Sequence, residues 1–297
     1  MQDHAAMARA VEAAGGVLGS TSPNPWVGSV LVTADGASFV GATEPPGRRH
    51  AEIVALDAAR VAGADARGAT LYTTLEPCCH TGRTGPCTDA VLAAGISRVV
   101  VGIEDPDPNV AGRGIEILRA AGVEVTVGVL DDEVSGQLAP YLKHRRTGRP
   151  YVTLKMAATL DGRTAAADGS SRWITGEQAR ADAHRLRAVN DAVLVGAGTA
   201  RADDPELTVR LAEGRDPKRI VLGQAPAGAR LQPAVEMEGD LGRVLDDLGG
   251  QGVLSLLVEG GPRVAHSFHS AGLVDRYVLY LAAALMGGAD GRPVLDG

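Results

Sequence analysis

The sequence predicts a two-domain α/β protein, and three observations carry that prediction. The chain is 297 residues long, about twice the size of an ordinary domain. Its apolar runs alternate with amphipathic stretches of about ten residues, the pattern of βα units. A short basic segment, KHRRTGRP (143–150), interrupts the alternation, which then restarts. The expected domains are therefore 1–147 and 148–297, each a largely parallel sheet with helices on both faces.

Taken in order, VGSVLVT (27–33) reads as a strand and HAEIVALDAARVAG (50–63) as a helix. GATLYTTLEP (68–77) is a strand, and PCTDAVLAAG (86–95) a helix that Gly95 stops. SRVVVGIEDP (97–106), GRGIEILRAAG (112–122) and VEVTVGVL (123–130) continue as strand, helix and strand. In the second half YVTLKMAATL (151–160) is a strand. TGEQARADAHRLRA (175–188) is a helix, with Thr175 and Gln178 spaced as a capping box. NDAVLVGAG (190–198), KRIVLG (218–223) and VLSLLVEGG (253–261) read as strands. PRVAHSFHSAG (262–272) is a helix with Pro262 at its first position, and DRYVLYLAAALM (275–286) is a further strand.

Composition narrows the function. With a net charge of −7 and only 3% aromatic residues, the chain lacks both the basic footprint and the stacking platforms of a nucleic-acid binder. Arg48, Arg49, Arg145 and Arg146 are expected on the solvated surface. A small phosphorylated ligand needs only two or three basic groups and stays within reach. No apolar run approaches the length that spans a bilayer, so no membrane partner and a cytoplasmic setting are expected. Self-association into a homo-oligomer is left open. The three cysteines, Cys78, Cys79 and Cys87, lie within ten residues, a poor disulfide framework and a good metal signature.

The chemistry of the first half centres on His50-Ala51-Glu52, Pro77-Cys78 and Cys87. A catalytic zinc takes three protein ligands and keeps one position open for water. His50, Cys78 and Cys87 supply such a set, and each stands where loop or strand gives way to helix. Glu52, two residues from the histidine, is placed to move protons without ligating the metal. The arrangement follows the zinc deaminase pattern, His-x-Glu then Pro-Cys-x-x-Cys, except that nine positions separate the cysteines. A structural zinc site would need a fourth protein ligand, for which Cys79 is the one neighbour. Adjacent cysteines rarely both reach one ion, so Cys79 is expected to pack as a small hydrophobe. The second half has two Gly-rich turns after apolar strands, GAGT (196–199) and EGGP (259–262). Either could cradle a phosphate or simply turn the chain.

SPNPWVGSVLV, HAE, TLEPCCHTGRTGPC and DPDPNVAGRGIEILRAAG resemble the deaminase half of the bifunctional riboflavin-biosynthesis deaminase–reductase family. LKMAATLDGRTAAADGSSRWITG, VGAGTARADDPELTVR and VEGGPRVAHSFHSAGLVDRYVLYLA resemble its reductase half. The resemblance implies a cytidine-deaminase-like αβα sandwich followed by a dihydrofolate-reductase-like α/β domain, with zinc and NADPH as cofactors. The implied substrate is a diaminopyrimidinone bearing a ribosylamino 5′-phosphate. It loses one ring amino group, and hydride transfer to C1′ then opens the ribosylamine to a ribityl chain. On this resemblance Asn24, His80 and Arg83 face the deaminase substrate, Arg83 as a phosphate partner. Asn24 could instead serve a turn, and Arg83 could be solvated. Ala157, Trp173, Thr199, Asp203 and Gly261, Pro262, Arg263, Val264, Ala265, His266 and Ser267 would line the NADPH site. Ser171, Arg187, Leu207, Arg210 and Glu259 would hold the reductase substrate, the arginines at its phosphate. Trp173 could equally fill core, and Ser171 a turn. Lys155, alone on an apolar strand, is the candidate for polarising the sugar, with Asp161 as a possible structural partner. The competing reading is a deaminase of a nucleobase or tRNA whose second domain only binds a ligand.

Overall fold

A computed structural model describes residues 2–81, 85–165, 174–287 and 291–297. The chain divides into two compact units, Met1–Thr147 and Gly148–Gly297.

The first unit runs α1 (Gln2–Gly15), β1 (Gly28–Val32), β2 (Ser38–Ala42), α2 (Ala51–Val61), β3 (Thr70–Leu75) and α3 (Cys87–Ala93). It continues through β4 (Arg98–Ile103), α4 (Arg113–Ala120), β5 (Glu124–Val127), α5 (Asp131–Gln137) and α6 (Ala139–Thr147). Its sheet has the order β2-β1-β3-β4-β5. The sheet is mixed, not largely parallel: β1 runs antiparallel to β2 and β3, while β3, β4 and β5 are parallel. Period-two alternation sends Leu31, Leu71, Val99 and Val101 to one face, where Ala55, Val91 and Leu118 of α2, α3 and α4 cover them. Val30, Tyr72 and Val100 point the other way, onto Met7 and Ala10 of α1. The result is an αβα sandwich.

The second unit runs β6 (Tyr151–Thr159), β7 (Arg163–Ala165), α7 (Glu177–Val189), β8 (Ala192–Gly196), α8 (Ala197–Asp203) and β9 (Lys218–Leu222). It ends with β10 (Val235–Met237), α9 (Leu241–Gly250), β11 (Ser255–Val258), α10 (Pro262–Ser270), β12 (Arg276–Ala282) and β13 (Arg292–Pro293). Six strands pair in the order β10-β9-β8-β11-β6-β12, parallel throughout. Leu154, Leu194, Leu256 and Val258 meet Leu245, Leu248 and Phe268 of α9 and α10 on one face. Val193, Val195 and Leu257 meet Ala200 and Leu186 of α8 and α7 on the other.

Several local expectations are met and one is corrected. Gly95 ends α3 at φ +70°, and Pro262 opens α10. The capping box at Thr175 does not form. Gly176 is the N-cap of α7 and no side chain caps it, while the Thr175 carbonyl accepts from Arg180 Nη1 at 3.1 Å. The helix starts one residue too late for Gln178 to occupy the third helical position. Among the described residues no helix is long and apolar enough to cross a membrane.

Candidate active sites

In the first unit the β3–α3 loop and the start of α2 converge at the ends of the parallel strands. His50 is the N-cap of α2, Cys78 follows β3 and Cys87 opens α3. Two bare backbones bring these pieces together. A Cβ on Gly41 of β2 would stand 2.2 Å from the Ala51 carbonyl, so only glycine lets α2 close on the sheet. A Cβ on Gly114 would stand 2.2 Å from the Pro77 carbonyl, beside the first cysteine. Glu76 completes the frame, accepting from the backbone N–H groups of Asp105 (3.1 Å), Gly112 (3.0 Å) and Ile115 (3.2 Å).

His50 Nδ1 lies 3.5 Å from Cys78 Sγ and 3.3 Å from Cys87 Sγ, and the three donor atoms fall within 4.8 Å of one another. A tetrahedral zinc with ordinary bond lengths holds N and S donors about 3.5 Å apart. The donor set and spacing therefore fit zinc, and no fourth protein donor joins the group among the described residues. Cys79 turns away, its Sγ 3.6 Å from the Asn109 carbonyl. The Cys87 thiol and then His50 hold Cys78 well below the usual thiol range, and Cys87 is pushed up in return. The cluster thus carries a thiolate suited to a metal. Glu52, 4% exposed, sits in the first turn of α2. Burial, then the neighbouring Cys78 charge, pushes its carboxyl up to about 7.

These groups open onto a cavity of about 360 Å³ that Asn24, His50, Glu52, Cys78 and His80 line together, within the usual range for small-molecule sites. Arg83 lies outside the described residues. Thr43 also lines the cavity, but its Oγ1 is committed to the Val27 backbone at 3.2 Å. The sequence reading did not place Asp105, Asp107, Tyr141 or Arg145 in the cavity wall, where the structure puts them. Tyr141 donates to both Asp105 carboxylate oxygens at 3.1 Å. Arg145 Nε, 3.2 Å from Asp107 Oδ2, makes an ion pair without the alignment of a hydrogen bond. Arg145 and Arg48 therefore both line the cavity, Arg48 from an exposed position, whereas composition placed both on the solvated surface. The aspartates stood in the quoted DPDP motif; nothing local marked Tyr141 or Arg145.

In the second unit a cavity of about 550 Å³ brings together Lys155, Ala157, Thr199, Asp203, Arg187, Leu207, Arg210 and Glu259. The partner of Lys155 is Glu259, at 3.7 Å, and not Asp161. Asp161 accepts from Thr159 Oγ1 at 2.6 Å and from the Gly287 N–H at 2.8 Å. Glu259 also takes a two-pronged grip from Arg187, at 2.6 and 2.9 Å. Burial raises the Glu259 carboxyl, but Arg187 and Lys155 outweigh it and hold the group below its usual range. His184 Nδ1 accepts from the Arg210 N–H at 3.0 Å, which leaves its proton on Nε2. Leu207 is buried at φ +57°, a strained conformation for a branched residue. Ser171 and Trp173 lie outside the described residues.

The run Gly261 to Ser267 is divided by its helix. Gly261, the N-cap of α10, donates to Thr199 Oγ1 at 3.0 Å, and a Cβ there would stand 3.1 Å from that hydroxyl. Pro262 follows it at the helix start, while Ala265 is in the core. Val264 packs against Gly196 and Gly260. Arg263 is 90% exposed, and Ser267 and His266 bond within the helix, to Arg263 and Ser270. Of this run, the start of α10 fits a phosphate-bearing cofactor, at the C-terminal ends of parallel strands and beside Thr199, which the Gly261 N–H holds.

Residues 1–103 match the family described as the cytidine and deoxycytidylate deaminase zinc-binding region, and residues 150–297 match the RibD C-terminal domain. The riboflavin biosynthesis protein RibD of Mycobacterium tuberculosis is 44% identical, with 95% of this chain aligned to 86% of that protein. Its Escherichia coli counterpart is 40% identical, over 97% of this chain and 89% of its own. Among solved structures, form 1 of Acinetobacter baumannii RibD superposes with a TM-score of 0.92 at 38% identity, covering 100% of this chain and 90% of that one. A Thermotoga maritima diaminohydroxyphosphoribosylaminopyrimidine deaminase/5-amino-6-(5-phosphoribosylamino)uracil reductase gives 0.89 at 36%, covering 98% and 89%.

Proposed function

The chain belongs to the bifunctional riboflavin-biosynthesis deaminase–reductase family, and from that premise we propose how its residues share the two reactions. It is an enzyme with a zinc-binding deaminase half and a reductase half. The deaminase-only reading is not favoured, because residues 150–297 match the reductase part of the family.

Deamination is assigned to 1–147 and reduction to 148–297. The proposed substrate is a small phosphorylated diaminopyrimidinone, handled in the cytoplasm without nucleic acid. His50, Cys78 and Cys87 would hold zinc, which supplies Lewis acidity that makes water nucleophilic near neutral pH. Glu52, buried beside the ligands, carries one proton of the attacking water to the ring nitrogen, then the second from the new hydroxyl to the amine, which leaves as ammonia as the carbonyl forms. Asn24 and His80 hold the ring within the cavity, and Arg83 meets the phosphate. In the second half NADPH supplies the hydride. Gly261, Thr199 and the start of α10 receive its phosphates, with Ala157 and Asp203 nearby. Lys155 donates hydrogen bonds to the sugar oxygen as the ring opens, with the Glu259 carboxylate beside it holding the ammonium in place. Arg210 and Arg187 face the substrate phosphate, Arg187 while still tied to Glu259, and Leu207 shapes the pocket wall.

The observation that carries the deaminase assignment is the closure of His50, Cys78 and Cys87 around one point beside a buried carboxylate. Zinc analysis of purified variants tests it. Cys78→Ser, Cys87→Ser and His50→Ala are expected to lose the metal, and Cys79→Ser to keep about one zinc per chain. If Cys79→Ser strips zinc as fully as Cys87→Ser, the three-ligand assignment is wrong.

A further inference from the structure

The second cavity contains a ring that none of the chemistry above uses. Tyr280 lies on β12, the neighbour of β6 opposite to β11. The parallel register sets Val278 across from Lys155 and Tyr280 across from Ala157, so Tyr280 and Lys155 are diagonal neighbours on one sheet face. Lys155 Nζ stands over the Tyr280 ring, 5.8 Å from its centroid, within the range where a ring quadrupole attracts an ammonium. On the other side of the lysine is the Glu259 carboxylate, at 3.7 Å. The phenol itself donates to Asp182 of α7 at 2.5 Å, and Asp182 also accepts from Arg185 at 2.7 Å. The ring is thus pinned from the helix layer while its face backs the lysine.

We infer that Tyr280 is a positioning residue of the reductase, holding the Lys155 ammonium against Glu259 through a ring that Asp182 anchors. The inference rests on Lys155 acting in the reduction, as assigned above. A lysine ends a flexible four-carbon stem, and a single ion pair at 3.7 Å leaves its head free to swing. A second carboxylate would fix it but would consume N–H donors. The ring attracts the charge and accepts none of the three protons as a conventional hydrogen bond. The donors therefore stay available to the sugar oxygen, and Tyr280 stays out of the reacting atoms.

The test is a double-mutant cycle on the full chain, read as single-turnover NADPH oxidation with the deaminated ribosylaminopyrimidine phosphate, so that slow variants remain measurable. Tyr280→Leu is expected to slow the chemical step about ten-fold, with substrate KM within about two-fold. Tyr280→Phe keeps the ring and should recover most of that loss. In a Lys155→Met background, Tyr280→Leu should cost nothing further, because the residue it serves is gone. Ammonia release by the same Tyr280 variants should be unchanged, which confines the effect to the reductase half, and the recovery in Tyr280→Phe separates it from misfolding of that half. An undiminished rate in Tyr280→Leu, or an equal loss with and without Lys155, overturns the inference. If Tyr280→Leu fails to fold, Asp182→Ala carries the same test by removing the acceptor that anchors the ring: a partial loss that vanishes without Lys155 is expected, and an unchanged rate or a loss that persists without Lys155 overturns the inference. Normal reduction by Lys155→Met would instead overturn the assignment of Lys155 itself.

Discussion

Glu52 shows what one buried carboxyl does when its neighbours are fixed. It lies in the first turn of the helix that His50 caps, so the ligand and the proton carrier move as one body. Glu52→Gln keeps that shape and removes the titrating oxygen. Zinc content should stay near one per chain while ammonia release falls at least about 100-fold; near-normal release from the zinc-loaded variant would assign the proton to another group. The ligands were legible in the sequence because few residue types bind zinc and their spacing follows from helix starts. Asp105, Asp107, Tyr141 and Arg145 were not, because they reach the cavity from segments distant along the chain. Tyr280 was hidden for the same reason, since an aromatic on an apolar strand reads as core until the pairing register is known. Asp161 could have partnered Lys155, but the pairing of β11 with β6 brings Glu259 to it instead.

Elements with clear periodicity and punctuation were legible, and those held by tertiary contacts were not. The strands and helices from 50 to 127 follow their patterns closely, ended by glycines. Helix α1 escaped notice because its buried side is mostly alanine, a weak hydrophobic stripe. Its hold on the sheet is partly ionic. Asp3 pairs with Arg98 Nη1 at 2.8 Å and accepts from the Tyr72 hydroxyl at 2.9 Å. The Arg98 hydrogen bonds lower its carboxyl to about 2, against the opposing effect of burial and with help from Tyr72. A carboxyl depressed in the folded state stabilises above its unfolded value, near 3.8, and loses that contribution as pH falls through about 2. Asp3→Asn should therefore lower the thermal midpoint of the first unit at pH 7, and the gap to the parent should close as pH drops from 4 to 2. A gap that is constant with pH would show that the ion pair adds nothing. Strand β2 escaped because it is a short outer strand in which only Gly41 is fully buried. Its function is carried by Gly41, where α2 presses on the sheet. Gly41→Val should displace α2 and cost zinc as well as stability; full zinc occupancy in that variant would show that the close approach is dispensable.

At the scale of the molecule, two chemically unrelated sites lie on separate compact units of one chain. The zinc ligands all precede residue 88, and the glycines of the two Gly-rich turns that open α8 and α10, Gly196 and Gly261, follow residue 195. Among the described residues none lines both cavities, so damage to one should spare the chemistry of the other. The mixed pairing of the first sheet was not legible, because strand direction depends on connections that a periodic pattern does not encode. The most direct test of the central claim supplies the diaminopyrimidine ribosylamino 5′-phosphate to the purified zinc-loaded chain and follows ammonia and NADPH together. Ammonia should appear with or without NADPH, and when NADPH is present one equivalent should be oxidised for each ammonia released. Steady ammonia release with no oxidation of NADPH, even when the deaminated intermediate is added directly, would contradict the assignment of two activities to this chain.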